Sequence, residues 1–232
     1  TLFPYTTLFR SGIFGGAVPN PVNELASIIS KLKDQNGKIS IPGFYDDVVP
    51  LEEWEREAFS KLPWDNEDFR QSLNLPGLTG EEGYTTLERK WARPTLDVNG
   101  IFGGYSGEGA KTIIPAWAGA KITMRLVPNQ RPETISQLFR EYVKQITPDY
   151  IQLRFEPTNG AGPVVFSRES PFMNQAKEAI QHGFGTEPVM IREGGSIPIV
   201  LTLKETLSLN TLLLGWGLPD DNAHSPNEKF SL

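Results

Sequence analysis

The chain has 232 residues, a length typical of one large domain or two small ones, and 38% of them are hydrophobic, which is enough for a packed core. The net charge of −6 argues against a nucleic-acid-binding surface, and the chain lacks an apolar run that could cross a membrane. Cysteine is absent, which excludes disulfides and thiolate ligands. Any metal site would therefore use histidine and carboxylates. A cytoplasmic location is the default expectation.

The first eleven residues differ from the rest of the chain. Residues 1–11 contain no acidic residue and no helical periodicity. They also lack the charged start and the continuous apolar middle of a signal peptide. We therefore expect a non-native or mis-joined leader here and leave it out of the predicted fold.

Residues 12–157 predict a small α+β layer. Asn20 and Pro21 are typical of a helix start, and apolar residues recur at helical spacing up to residue 32. Residues 46–78 form a predicted helical insertion, with a second short helix beginning at Asp65. The remaining predicted elements are strands at 95–102, 112–115, 118–127 and 150–155 and a helix at 134–146. This order favours helices on one face of an antiparallel sheet.

Residues 158–232 show a different pattern, in which helices alternate with short apolar runs. Helices are predicted from Ser170 to Phe184 and over residues 197–206, and buried strands at 189–191 and 211–214. Such alternation is typical of a largely parallel sheet. The segment is too short to complete a two-faced α/β domain, so we expect it to be the C-terminal part of one.

His224 lies on a Gly/Pro/Asp-rich loop directly after the predicted strand at 211–214. Open α/β sheets place their chemistry at the carboxyl ends of strands, and imidazole is a common metal ligand. A surface histidine without a function would give the same pattern. Asp220 and Asp221 are possible metal-shell groups, although turn formation explains them better.

The segment from Arg192 to Ser196 is the second candidate. Its glycine pair, Gly194 and Gly195, allows backbone N–H groups to approach a ligand, and a following helix start would favour an anion. Ser196 adds a hydroxyl group. An ordinary tight turn would have the same sequence, and the ending of a phosphate-binding P-loop is missing.

Arg125 is the third candidate, on the polar face of the strand at 118–127. A guanidinium can bind a carboxylate through two parallel hydrogen bonds. The alternative is a solvated strand face. Thr112, on the preceding predicted strand, is expected to lie across a hairpin from Arg125.

Four segments together resemble the carnosinase-like branch of the di-zinc exopeptidases, relatives of succinyl-diaminopimelate desuccinylase and the aminoacylases. They are residues 11–21, residues 109–115 with 125–129, residues 192–198, and residues 222–228. The resemblance implies a ferredoxin-like lid, or dimerisation, domain at 12–157, followed at 158–232 by the C-terminal part of an α/β catalytic domain. It also implies a homodimer formed through the lid.

The resemblance also implies roles for individual residues. His224 matches the last zinc ligand, and Glu193 matches a carboxylate that lines the active site beside the metals. The positions that match substrate-binding groups are Thr112, Arg125, Gly194, Gly195 and Ser196. Two histidines found in relatives are absent here: the position of the lid histidine is Arg10, inside the expected leader, and the second histidine falls near Asn159.

The implied activity is that of a zinc-dependent metallopeptidase acting on dipeptides or short peptides with a free C-terminal carboxylate. Two zinc ions per site are implied, with manganese or cobalt as alternatives. The other ligands and the general-base glutamate would precede residue 1, so the chain is expected to be a fragment with little activity alone. The alternatives are a catalytically inactive dimerisation and ligand-holding module, or an N-acyl amino acid amidohydrolase such as an acylase or desuccinylase.

Overall fold

The structure is a computed structural model that describes residues 9–156, 160–194, 197–218, 221 and 223–230. In these ranges the elements are, in chain order, β1 (Phe9–Arg10), α1 (Ser11–Phe14), α2 (Pro21–Ser30), α3 (Glu53–Ser60), α4 (Asn66–Ser72), α5 (Thr86–Trp91), β2 (Thr95–Gly103), β3 (Ile113–Ile114), β4 (Ala118–Arg125), α6 (Pro132–Ile146), α7 (Pro171–Phe184) and α8 (Pro198–Leu207). Two compact units are present. The first contains Thr1–Val164 and Val189–Pro198, and the second contains Val165–Pro188 and Ile199–Leu232.

The first unit is built on the antiparallel pair β2 and β4. Thr95 lies opposite Arg125 at one end and Gly103 opposite Ala118 at the other, with a register shift between Val98 and Gly100. The α2 and α6 helices share one core with this sheet, as the sequence predicts. The buried members of that core are Ile28, Leu32, Ile39, Ile41, Phe44, Leu96, Ile135 and Val143.

Local capping explains where several helices begin. The Asn20 side chain accepts a hydrogen bond from the backbone N–H of Val22 at 3.0 Å, and Pro21 follows as the first residue of α2. Asp65 caps α4 and Ser170 caps α7 in the same way. Both α3 and α4 lie within residues 46–78, where the sequence predicts a helical insertion.

The α5 helix was not predicted, although its start is visible in the sequence. Thr85 and Glu88 form a reciprocal capping box, in which each side chain accepts a hydrogen bond from the other residue's backbone N–H. The helix has only six residues, too few to show an apolar repeat. The capping pair was thus the one pattern that could have predicted it.

The predicted strand pairing is partly wrong. Within the described residues β3 pairs with β1 rather than with β4, so the expected hairpin between β3 and β4 does not form. The segment 150–155 is also not a strand, although exposure alternates along residues 151–156. A period-2 pattern predicts which face is buried, but a strand also needs a neighbour to complete its hydrogen bonds.

The predicted strands at 189–191 and 211–214 are wrong for the same reason. Both segments are described, and neither has a strand partner among the described residues. Leu213 and Leu214 are 55% and 41% exposed, so this apolar run is not buried in the structure. In contrast, the helices predicted beside these runs are confirmed as α7 and α8, because a helix satisfies its backbone internally.

Gln130 links the loop before α6 to the core. It is 3% exposed, its Nε2 donates to the carbonyl of Phe44 at 2.7 Å, and its Oε1 accepts from the N–H of Val127 at 3.0 Å. The change Gln130→Ala would leave both backbone groups without this partner, and we expect a loss of about 1–3 kcal/mol in the free energy of unfolding. Urea unfolding measures the loss, with Gln137→Ala on the exposed side of α6 as the control. Equal stability of the two variants would contradict this role.

Candidate active site

Arg125 is the last residue of β4 and lies against the end of α5. Its Nη2 donates to the carbonyl of Arg89 at 2.5 Å and to that of Arg93 at 3.2 Å. Carbonyls at a helix C-terminus lack partners inside the helix and carry partial negative charge. The guanidinium is therefore held at this end of the sheet by neutral backbone groups.

The electrostatic setting of Arg125 follows from this position. Burial lowers the pKa of the guanidinium from its usual value, while the carboxylates of Asp97 and Glu193 partly oppose that change. An arginine remains charged under such conditions. Its Nε is also buried without a hydrogen-bond partner among the described residues. A half-buried cation of this kind is suited to bind an anionic group.

Gly194 lies directly against the Arg125 guanidinium. A Cβ at this position would overlap the carbonyl of Lys90 and would lie 2.6 Å from the Nη1 of Arg125. The close approach therefore requires glycine. This contact joins two of the candidates that the sequence suggests, Arg125 and the segment that begins at Arg192. Both Arg125 and Gly194 belong to the first unit.

Glu193 is exposed beside this contact, and its Oε1 accepts a hydrogen bond from the N–H of Gly194 at 2.8 Å. The predicted placement of the glycine N–H at a helix start is wrong for Gly194, because α8 begins only at Pro198. Gly195 and Ser196 lie outside the described residues.

Thr112 does not lie near the position that the sequence predicts. It precedes β3, is exposed, and accepts a hydrogen bond from the N–H of Ser11 through its carbonyl at 3.2 Å. The strand opposite Arg125 is β2, where Thr95 occupies the paired position. The expectation that Thr112 faces Arg125 across a hairpin is therefore wrong.

His224 belongs to the second unit and lies in a turn. The residue is exposed, has a φ of 62°, and donates its backbone N–H to the Oε2 of Glu228 at 3.3 Å. Histidine is among the residue types that tolerate this left-handed conformation. The turn thus fixes the backbone that carries the imidazole.

Asp221 organises the same loop. It is 7% exposed, its Oδ2 accepts from the N–H of Leu218 at 2.6 Å, and its carbonyl accepts from the N–H of Lys229 at 2.9 Å. These contacts agree with the turn-forming role favoured by the sequence. Asp220 lies outside the described residues.

The donor groups do not amount to a metal site within the described part of the chain. No group of three or more histidine and acidic side chains there could hold a metal ion. A catalytic zinc needs about three protein ligands. His224 alone does not meet that requirement.

Arg10 and Asn159 mark the two positions where the resemblance implies a histidine. Arg10 is exposed and pairs with Ile113 in the β1–β3 sheet, so the end of the presumed leader takes part in strand pairing. Asn159 lies outside the described residues. Among the described residues, no helix is both long and apolar enough to span a membrane.

The chain is 36% identical to the Cys-Gly metallodipeptidase dug1 of Schizosaccharomyces pombe and 32% identical to the human Beta-Ala-His dipeptidase. Each match covers 96% of this chain, but 48% and 45% of the respective relatives. A solved M20 family metallo-carboxypeptidase from Sulfolobus solfataricus superposes with a TM-score of 0.81 at 33% identity, covering 98% of this chain and 52% of that one.

The chain thus spans about half the length of the relatives it matches. These matches confirm the predicted resemblance to carnosinase-like exopeptidases and the predicted mixed α and β fold class. The family profile described as "Peptidase dimerisation domain" matches residues 7–151, which is more than half of the sequence. The chain therefore belongs to the peptidase dimerisation domain family.

Proposed function

We propose that this chain is the C-terminal half of a metallodipeptidase, which we call the longer enzyme, and that it binds the C-terminal carboxylate of a small peptide. The observation that supports this role most strongly is Arg125, a half-buried guanidinium held by two backbone carbonyls and approached by Gly194. A bidentate bond to a carboxylate would use the remaining guanidinium donors.

The other residues have supporting roles in the proposal. Glu193, Gly195 and Ser196 would line the substrate beside Arg125, and Thr112 would join them only after a rearrangement, because it is not opposite Arg125 in this structure. His224 would give one metal ligand. Zinc is the metal we propose, with manganese or cobalt as alternatives, since the chain has no cysteine and can offer histidine nitrogen and carboxylate oxygen as ligands.

Assembly and location complete the proposal. The family match supports a homodimer formed through residues 12–157. We also propose a cytoplasmic location. Residues 158–232 would form part of the catalytic domain. The described chain alone would be nearly inactive because its metal ligands are incomplete.

Two alternatives differ in their predicted substrates. A ligand-holding module without catalysis would bind peptides but would not hydrolyse them, even in the longer enzyme. An N-acyl amino acid amidohydrolase would prefer an N-acyl amino acid to a dipeptide. The names of the two sequence relatives favour a dipeptide, because one is a Cys-Gly and the other a Beta-Ala-His dipeptidase.

A substrate panel tests the proposal directly. The longer enzyme is assayed on Cys-Gly, on Cys-Gly amide and on N-acetylglycine. We expect Cys-Gly to be hydrolysed with a kcat/KM at least about 100-fold above that of the amide, because the amide removes the charge that Arg125 would bind. Equal rates for the dipeptide and its amide would reject the carboxylate-binding role. Preference for N-acetylglycine would instead support an amidohydrolase.

A further inference from the structure

Two adjacent residues of α3, Glu55 and Arg56, connect opposite sides of the candidate site in the first unit. Glu55 contacts the segment that carries Glu193 and Gly194, while Arg56 contacts α5, whose end holds Arg125. We propose that Glu55 and Arg56 are positioning residues that set the distance between Arg125 and the Glu193–Gly194 segment. The purpose of this positioning rests on the proposed function, but the contacts themselves do not.

The first connection is a bidentate ion pair between Glu55 and Arg192. The Nε of Arg192 donates to Oε1 of Glu55 at 2.6 Å, and its Nη2 donates to Oε2 at 2.8 Å. The two side chains are 5% and 17% exposed. A pair this well shielded resists screening by salt, and its fork geometry fixes orientation as well as distance. Arg192 directly precedes Glu193, so the pair anchors the segment at its base.

Glu55 also holds its own helix. Its Oε2 accepts from the N–H of Glu52 at 2.9 Å, as part of the capping box that begins α3. The same carboxylate thus holds both the first turn of α3 and the segment that carries Glu193 and Gly194. Because one carboxylate makes both contacts, the orientation of α3 and the position of the Glu193–Gly194 segment are linked.

The second connection runs through Glu88 to α5. The Nη1 of Arg56 lies 2.7 Å from Oε1 of Glu88, whose side chain is 4% exposed. The other oxygen of Glu88 accepts from the N–H of Thr85 at 2.7 Å and so begins α5. A short helix with a fixed start has its last carbonyls fixed as well, and the carbonyl of Arg89 is one of the two that hold Arg125.

Arg93, two residues after the end of α5, is anchored independently. Arg93 forms two hydrogen bonds of 2.7 Å with the carboxylate of Glu81, and its guanidinium stacks on the rings of Tyr45 and Tyr84 at 4.9 and 4.2 Å. Its carbonyl is the second acceptor for Arg125. The two acceptors of Arg125 are therefore held separately, the Arg89 carbonyl through the start of α5 and the Arg93 carbonyl through the ion pair with Glu81.

The test uses the 232-residue chain and two local measurements. Amide hydrogen exchange reports on residues 192–194, and the Nε–H resonance of Arg125, assigned with Arg125→Lys, reports on the guanidinium. The variant Glu55→Gln keeps one oxygen to accept from Glu52 but loses the carboxylate that pairs with Arg192. We expect amide exchange at 192–194 to rise at least about tenfold and the Arg125 resonance to shift, while far-UV circular dichroism stays unchanged.

Two further variants separate positioning from stability. Arg192→Gln removes the same pair from the loop side, so it should give the same increase in exchange without touching α3. The double variant should equal either single one, because both remove one interaction. Additive effects, or unchanged exchange at 192–194 in both single variants, would overturn the proposal for Glu55.

The matching test for Arg56 is Arg56→Gln, which should shift the Arg125 resonance and raise exchange in α5 while leaving residues 192–194 less affected. The control is Glu67→Gln, which breaks the exposed ion pair with Arg70 on α4. If the control shifts the Arg125 resonance as much as Arg56→Gln does, the proposal for Arg56 is wrong. Titration of the wild-type chain with Cys-Gly is recorded separately, so failure of the proposed function would appear as absent binding with the exchange effects intact.

Discussion

Replacing Arg125 by alanine is expected to lower kcat/KM for Cys-Gly in the longer enzyme by roughly 100-fold to 1000-fold. The physical reason is that truncating one partner of a desolvated charge pair costs about 2–5 kcal/mol, and each 1.4 kcal/mol is about tenfold. Arg125→Lys should recover only part of the loss, since an ammonium keeps the charge but not the planar fork. Steady-state kinetics on purified variants measures both effects.

The control for this prediction is Arg154→Ala. The Arg154 side chain is 57% exposed and pairs with Glu156 at 3.4 Å. Arg154 has no proposed role in the site. Its removal should change kcat/KM by less than about twofold, as exposed ion pairs contribute little. If Arg154→Ala and Arg125→Ala have equal effects, Arg125 has no specific part in binding.

Replacing His224 by alanine is expected to remove bound metal from the longer enzyme and to lower kcat by more than about 100-fold. Loss of a group that only orients a ligand already costs about 10–100-fold, and His224 is proposed to be a ligand itself. Zinc content per protein, measured by mass spectrometry after dialysis, should fall in parallel with activity. Because His224 lies on an exposed turn, the fold should remain.

The chain supplies a matched control in its other histidine. His182 lies in the last turn of α7, a usual place for a basic side chain. His182→Ala should retain metal and activity. Normal zinc content in His224→Ala would contradict the proposed ligand role, and loss of zinc in His182→Ala would show that the measurement reports general damage.

Helices were predictable from this sequence because they depend on local groups. The caps Asn20 and Ser170 and the apolar repeats that follow them were enough to find α2 and α7. In contrast, α5 is too short for a repeat. Its omission matters, because α5 contacts both parts of the candidate site: the carbonyl of Arg89 holds Arg125, and the carbonyl of Lys90 lies against Gly194.

Strand pairing was less predictable, since it depends on partners distant in sequence. The faces of β2 and β4 follow from alternation, but nothing local to Ile113 indicates that it pairs with Arg10 rather than with β4. The error in placing Thr112 follows from this. The apolar run at 211–214 predicts a buried strand only if a neighbouring strand covers it, and the described residues supply none.

The candidate site was predictable as a set of residue types and not as a geometry. Alternation placed Arg125 on the polar face of its strand, and the glycine pair predicted a close backbone approach. Neither pattern indicated that Gly194 approaches Arg125 itself, because that contact depends on the pair of Glu55 and Arg192, which are 137 residues apart. Ion pairs at such separation have no local sequence pattern.

The most direct test of carboxylate binding is a cycle that combines Arg125→Ala with removal of the substrate carboxylate. The kcat/KM values of the wild-type and variant longer enzyme are measured on Cys-Gly and on Cys-Gly amide. If Arg125 binds the carboxylate, the variant should lose about 100-fold or more on the dipeptide and less than about threefold on the amide. Equal losses on the two substrates would show that Arg125 acts elsewhere and would contradict the proposed role of this chain.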